Sequence, residues 1–316
     1  HADLSLRRGA SARPGVETLQ IGLAAVLADV LGLVPDDAAG ILGREAEVLA
    51  RLAVPLGPRA VDEVRLEALD VALAALRLHA NGILARGTLT AEAAIEALDP
   101  ALLGRFTGGV LDGSPRLDLA LRGGEDELFA RLEADLGSLV LPDLTGSSVR
   151  LAADIDARSP LDAPTRTVRA KGRADVGGLT PPPGTVLDES LRIDFDASLQ
   201  GEDRLRLDAF SLVSGENTLF ASGSLDLAEM LLSATAKAAL PNAGTLFGLR
   251  PVEAALNLSA TAHGDLDEGI RIEADIDASG IQGLDPTLAA LIGEYAVLLL
   301  EAEFDDDALT LHGLDL

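Results

Sequence analysis

The hydrophobic pattern along this chain has, over most of its length, a period of two. In 254–263 the apolar residues Leu256, Leu258, Ala260 and Ala262 alternate with Asn257, Ser259, Thr261 and His263, as in a half-buried strand. Ile270, Ile272, Ala274 and Ile276 alternate likewise with Arg271, Glu273, Asp275 and Asp277. Between these arms lies GDLDEG, a Gly- and Asp-rich turn segment. After Gly280 the period changes. Leu284, Leu288, Leu291 and Ile292 share one helix face, with Asp285 placed as N-cap, Pro286 at the first helical position and Gly293 closing the helix. A third strand follows.

Similar alternation predicts strands at Leu117, Leu119 and Leu121; at Val149, Leu151, Ala153 and Ile155; at Leu191, Ile193, Phe195, Ala197 and Leu199; and at Leu219, Ala221, Gly223 and Leu225. In RLRLDAFSLV the apolar parity slips from Leu205 and Leu207 to Phe210 and Leu212, which predicts a β-bulge. LTPPPG (179–184) predicts a loop, because prolines cannot donate to a ladder. Asp305-Asp306-Asp307 predicts a hairpin turn. Leu19, Leu23, Val26, Leu27 and Val30 recur at helical spacing, and Pro35-Asp36 restarts a helix that Gly43 closes, so 17–54 reads as two short helices and a strand. In all, the pattern gives about eighteen strands against about four short helices.

The elements recur. GLVPDDAAGILGREAEVLARLAV (32–54) follows the order of GLDPTLAALIGEYAVLLLEAEF (283–304), with a middle copy at IEALDPALLGRF (95–106) and shorter relatives at 139–146 and 238–248. A second pair of copies aligns 64–89 with 205–227, placing His79-Ala80-Asn81-Gly82 where Phe220-Ala221-Ser222-Gly223 stands. The expected repeat units are 17–107, 108–248 and 249–316.

Composition narrows the picture. Hydrophobic residues form 48% of the 316, yet there is no Trp, one Tyr and seven Phe, so the apolar content is aliphatic. A net charge of -26 argues against nucleic acid and anionic membrane surfaces as partners, since both need clustered Lys and Arg. The absence of cysteine excludes disulfides and thiolate metal sites, and fits either a periplasmic or a cytosolic compartment. No apolar run reaches the roughly 18 residues of a membrane-spanning helix. Strand-like sequence at both ends with no initiating Met reads as an internal fragment whose signal and anchor lie elsewhere.

No catalytic constellation emerges. Asp154 with Asp156, and Asp275 with Asp277, lie along strands, where convergent calcium ligands are not expected; a solvated face is the simpler reading. His79, His263 and His312 stand apart, the glycine pairs lack phosphate-loop spacing, and no GxSxG elbow occurs. The expectation is a non-enzyme without cofactor or metal.

The aliphatic face has two readings. It can be an ordinary packed core between two sheets, or, because Ala and Gly interrupt it so often, a channel with room for acyl chains. On the second reading its lining is Leu117, Leu119, Leu121, Val149, Leu151, Ile155, Leu191, Ile193, Phe195, Leu199, Leu219, Ala221, Leu256, Leu258, Ile270, Ile272 and Ile276.

The LDPxLLG and LDPTLAALIG helices between alternating strands, the tails TLFASGSLDL and DALTLHGLDL, and the scarcity of aromatics resemble the TamB (translocation and assembly module) family of the AsmA-like superfamily of bridge-like lipid transfer proteins. The resemblance spans the chain and is clearest over 31–157 and 190–316. It implies a long curled β-sheet, a β-taco or half-pipe with a hydrophobic interior and a few short helices between repeats. It further implies a periplasmic setting, phospholipid moved between inner and outer membranes in support of outer-membrane assembly, and an Omp85-type barrel, TamA, as partner. The family's inner-membrane anchor and barrel-contacting domain are not within this sequence, so membrane contact would be made by other parts. Alternatives are a structural β-solenoid or adhesin-like stalk with a filled core, and a chaperone-like module receiving outer-membrane strands at a sheet edge.

Overall fold

In the computed structural model the described residues are 2–10, 17–28, 45–56, 63–100, 110–113, 115–124, 126–141, 144–158, 166–180, 187–201, 203–241, 243, 253–267, 269–283, 287, 290, 293–305 and 308–315. They form two compact units, residues 1–142 with 147–161 and residues 143–146 with 162–316.

The first unit carries β1 (Ala2–Ala10), β2 (Glu17–Ala28), β3 (Glu45–Leu56), β4 (Glu63–Ala72), β5 (Leu76–Ala85), β6 (Thr88–Ala97), the short β7 (Val110–Asp112), β8 (Arg116–Gly123), β9 (Glu127–Leu141) and most of β10 (Leu144–Arg158). Successive strands pair antiparallel from β1 to β6, then β6 with β8 and β8 with β9, while β7 pairs β9 beyond the end of β8. The second unit is a simpler meander of β11 (Thr167–Gly177), β12 (Ser190–Gln200), β13 (Arg204–Ser214), β14 (Asn217–Asp226), β15 (Leu231–Leu240), β16 (Glu253–Asp265), β17 (Gly269–Gln282), β18 (Tyr295–Asp305) and β19 (Ala308–Asp315), each antiparallel to the next. The fold class is therefore mainly β, built as a long repetitive antiparallel sheet.

Local chemistry explains much of this. Gly264 pairs with Ile270 and Asp265 with Gly269 around the GDLDEG turn, where the Asp265 carboxylate accepts the Asp267 amide at 2.8 Å. Phe304 pairs with Leu309 across the Asp-rich hairpin. The bulge lies where parity slips: β13 pairs with β14 at Leu207–Gly223 and next at Phe210–Ala221, so two residues, Asp208 and Ala209, stand against the single Ser222. One extra residue returns Phe210 and Leu212 to the face of Leu205 and Leu207.

Two predictions fail. The helix expected from Leu19 to Val30 is strand β2 as far as Ala28. The helical spacing mixed two faces: Leu19, Ile21 and Leu23 point one way, each opposite an apolar residue of β3, while Val26 belongs to the other. Pairing on both sides overrides a short-range pattern that fits either period. Similarly, 139–146 is no helix relative: β9 runs to Leu141 and β10 starts at Leu144. The expected helix at 35–43 lies outside the described residues, as does most of the proline loop. Pro100, Thr287 and Ala290 are helical, and the rest of the helices expected at the LDP segments, including Leu284, Asp285, Pro286, Leu288, Leu291 and Ile292, lies outside the described residues.

Candidate functional site

Residues opposite each other in an antiparallel ladder point to the same side of the sheet, so the registers can be read as rows across the strands. In the first unit one row runs Leu4, Leu23, Ala50, Leu69, Ala80, Ala93, Leu119 and Leu132, and the next runs Leu6, Ile21, Leu52, Leu66, Gly82, Ala91, Leu121 and Ala130. Leu117 extends the face between Ile95 and Ala134. Every position in these rows is apolar.

The second unit repeats the plan. Gly172, Phe195, Phe210, Ala221, Ala236, Ala260, Ala274 and Leu300 make one row; Ala174, Ile193, Leu212, Leu219, Ala238, Leu258, Ile276 and Leu298 make another. Leu191 faces Val176, Leu199 faces Val168 and Leu205, and Leu256 faces Leu240 and Ala278. Ile270 lies between Gly264 and Phe304, and Ile272 between Ala262 and Ala302. All the lining candidates of β12, β14, β16 and β17 thus share a face. On β10, Arg150 and Asp154 reach Asp135 and Arg131 of β9 on the polar side, which places Val149, Leu151 and Ile155 on the apolar side.

The structure adds lining that alternation alone did not single out: Leu4, Leu6 and Ile21 of β1 and β2, and Leu298 and Leu300 of β18; it also places Leu205, Leu207, Phe210 and Leu212 on the same face. The signal that finds them is the register.

The side chains on this face are shallowly buried. Among the described residues, the buried apolar side chains are alanines apart from Pro115, Val149 and Leu179, and the largest fully buried side chain of any kind is Ser214. A packed sandwich would bury its Leu, Ile and Phe. Here Leu6 is 61% exposed, Leu84 48%, Leu205 44%, Ile155 38% and Phe195 36%. Within the first unit the face forms a hollow of about 330 Å³ whose lining includes Leu52, Leu66, Gly82, Ala91 and Leu121. That volume is at the small end of ligand pockets.

The opposite face is a ladder of exposed ion pairs. Arg131 meets Asp154 at 2.8 Å, Arg173 meets Asp194 at 2.6 Å, Arg192 meets Asp175 at 2.8 Å and Arg271 meets Glu301 at 2.6 Å. Hydrogen bonds from Arg169 and then Lys171 hold the Asp196 carboxyl down at about 2, and the Arg116 guanidinium holds Asp118 below the usual carboxylate range. Asp277 accepts from the Tyr295 hydroxyl at 3.1 Å, raising the pKa of that phenol. His79 and His312 pair with Asp70 and Glu303 at 2.7 and 2.9 Å. Among the described residues no group of three or more His, Asp or Glu is arranged to hold a metal ion, and no helix is long and apolar enough to cross a membrane.

Comparison with family models, with curated proteins and with solved structures finds no match.

Proposed function

We propose that this chain is a segment of a periplasmic lipid-transfer groove of the TamB type, with phospholipid acyl chains lying on the apolar face. The observation that carries the reading is the unbroken apolar rows whose large side chains stay half-exposed. Acyl chains need desolvation and no directional partner, and each methylene moved out of water contributes about 0.8 kcal/mol. Smooth rows of Leu, Ile, Val and Ala offer that. The charged opposite face keeps the sheet wetted and soluble. On this reading the protein catalyses no reaction. It passes phospholipid between inner and outer membranes in support of outer-membrane assembly and meets an Omp85-type barrel such as TamA.

Two observations favour this over a stalk with a filled core: the alanine-dominated burial, and antiparallel pairing where a β-helix solenoid stacks parallel strands. Extraction of the purified chain with organic solvent, followed by mass spectrometry, tests the proposal. Phospholipid should be recovered from the unaltered chain and from Asp154→Asn and Asp275→Asn, and be strongly reduced in Ile193→Asp and Ile272→Asp. Equal recovery from both sets, or none from the unaltered chain, would sink it.

A further inference from the structure

The two units share more than composition. In the first, the β3–β4 register passes from Arg51–Ala68 to Leu52–Leu66, skipping Glu67; in the second, β12–β13 passes from Asp196–Ala209 to Ala197–Leu207, skipping Asp208. The next ladder carries the same defect on its other side, with Leu66–Gly82 then Leu69–Ala80 matching Leu207–Gly223 then Phe210–Ala221. The correspondence continues outward. Gly82–Ala91 and Ala80–Ala93 match Gly223–Ala234 and Ala221–Ala236. Leu89–Gly123 and Ala91–Leu121 match Leu232–Gly264 and Ala234–Ala262, and Gly123–Leu128 matches Gly264–Ile270. A bulge fixes register and recurs by descent more readily than by chance. The described strands of 45–141 and of 190–282 therefore read as two copies of one module.

The glycines at matched positions have a common geometry. A Cβ on Gly82 would stand 3.0 Å from the Thr90 carbonyl oxygen and 3.1 Å from the Ala91 Cβ. On Gly223 it would stand 2.7 Å from the Ser233 oxygen and 3.1 Å from both Ala234 Cα and Cβ. Gly123 and Gly264 would collide with the backbone of Glu127 and Gly269. Each of these glycines sits in an apolar row, so the missing Cβ would project from the apolar side. In a flat sheet that Cβ lies about 4.5–5.5 Å from its cross-strand partner's Cβ. The neighbouring strand has instead swung over the glycine toward the apolar side. Glycine in a strand marks this kind of close approach, and bulges with glycine kinks are how sheets turn corners.

We infer that Gly82 and Gly123 in one module, and Gly223 and Gly264 in its copy, are corners at which the sheet folds toward its apolar face, each module turning twice. The corners make that face concave whatever occupies it, so the inference is independent of the lipid reading.

The chain has no cysteine, so introduced pairs label cleanly. Ser211 of β13 and Leu299 of β18 lie in one polar-side row that spans both corners of the second module. Spin labels at Ser211→Cys and Leu299→Cys, read by pulsed electron resonance in the full chain, measure the bend. Five strand steps put a flat sheet's labels about 24 Å apart; a sheet bent away from them splays the labels farther. The unaltered chain should exceed the flat value by several ångströms. Gly223→Ala should shorten the distance, and Ser222→Val, on the adjacent polar-side position, should not. A flat-sheet distance in the unaltered chain overturns the inference even if Gly223→Ala fails to fold, and so does an unchanged distance in a folded Gly223→Ala chain.

Discussion

Arg169 on β11 donates from Nε and Nη2 to the two carboxylate oxygens of Asp196 on β12, at 2.8 and 2.7 Å, while Lys171 approaches the same carboxylate at 2.9 Å. Two cations on one acid hold its pKa near 2 against an ordinary value of 3.8. A lowered folded-state pKa means that the stabilisation is present above pH 4 and lost as the pH falls through about 2. Asp196→Asn should therefore lower the thermal midpoint at pH 7 slightly, because exposed pairs contribute only about 0–1 kcal/mol. The gap between variant and unaltered chain should close between about pH 4 and pH 2. Comparing the two at each pH cancels the titration of the other carboxylates, and a gap independent of pH would show that the pairs add nothing.

Ser214 has a different role from the exposed hydroxyls. It is fully buried, accepts the Asp188 amide at 2.7 Å and donates to the Ser190 carbonyl at 2.7 Å, tying the entry to β12 against the β13–β14 hairpin. Ser214→Ala strands that amide and carbonyl, at a cost of about 1–3 kcal/mol. Urea unfolding should show it as a lowered midpoint. Ser222→Ala, which loses only an exposed contact to Thr235 at 3.1 Å, should stay near the unaltered value.

The bulge at Asp208-Ala209 can be removed by deleting one residue. Deleting Asp208 would turn Phe210 and Leu212, or else Leu205 and Leu207, to the polar side, since a one-residue slip exchanges the faces of a strand. The expected outcome is lost amide protection in β13 and β14 by hydrogen exchange. Deleting Glu67 should do the same to β4 and β5. Protection retained in both would mean that parity is not set by these bulges.

Much of the fold was legible from alternation because each strand carries one apolar face, and Leu205, Leu207, Phe210 and Leu212 even placed the bulge. Strand β2 was misread because Leu19, Leu23, Val26 and Leu27 fit a helical stripe as well as a strand with apolar residues on both sides. Only pairing with β1 and β3 decides between them. The candidate face was legible strand by strand, yet its continuity was not: that Ile272 lies beside Ala262 and Ala302, or Leu66 beside Gly82, depends on register. The corner glycines left still less trace, since Gly223 alternates with its neighbours like any small apolar residue.

Adjacent residues of β17 put the central claim to its most direct test. Ile272 points to the apolar side and Glu273, opposite Thr261 and Glu301, to the other. A photo-crosslinking benzophenone side chain at each position in turn, irradiated in cells fed radiolabelled phosphate, reports which face meets phospholipid. The account predicts a labelled lipid adduct at Ile272 and none at Glu273. Equal labelling at both, or labelling at Glu273 alone, would contradict it.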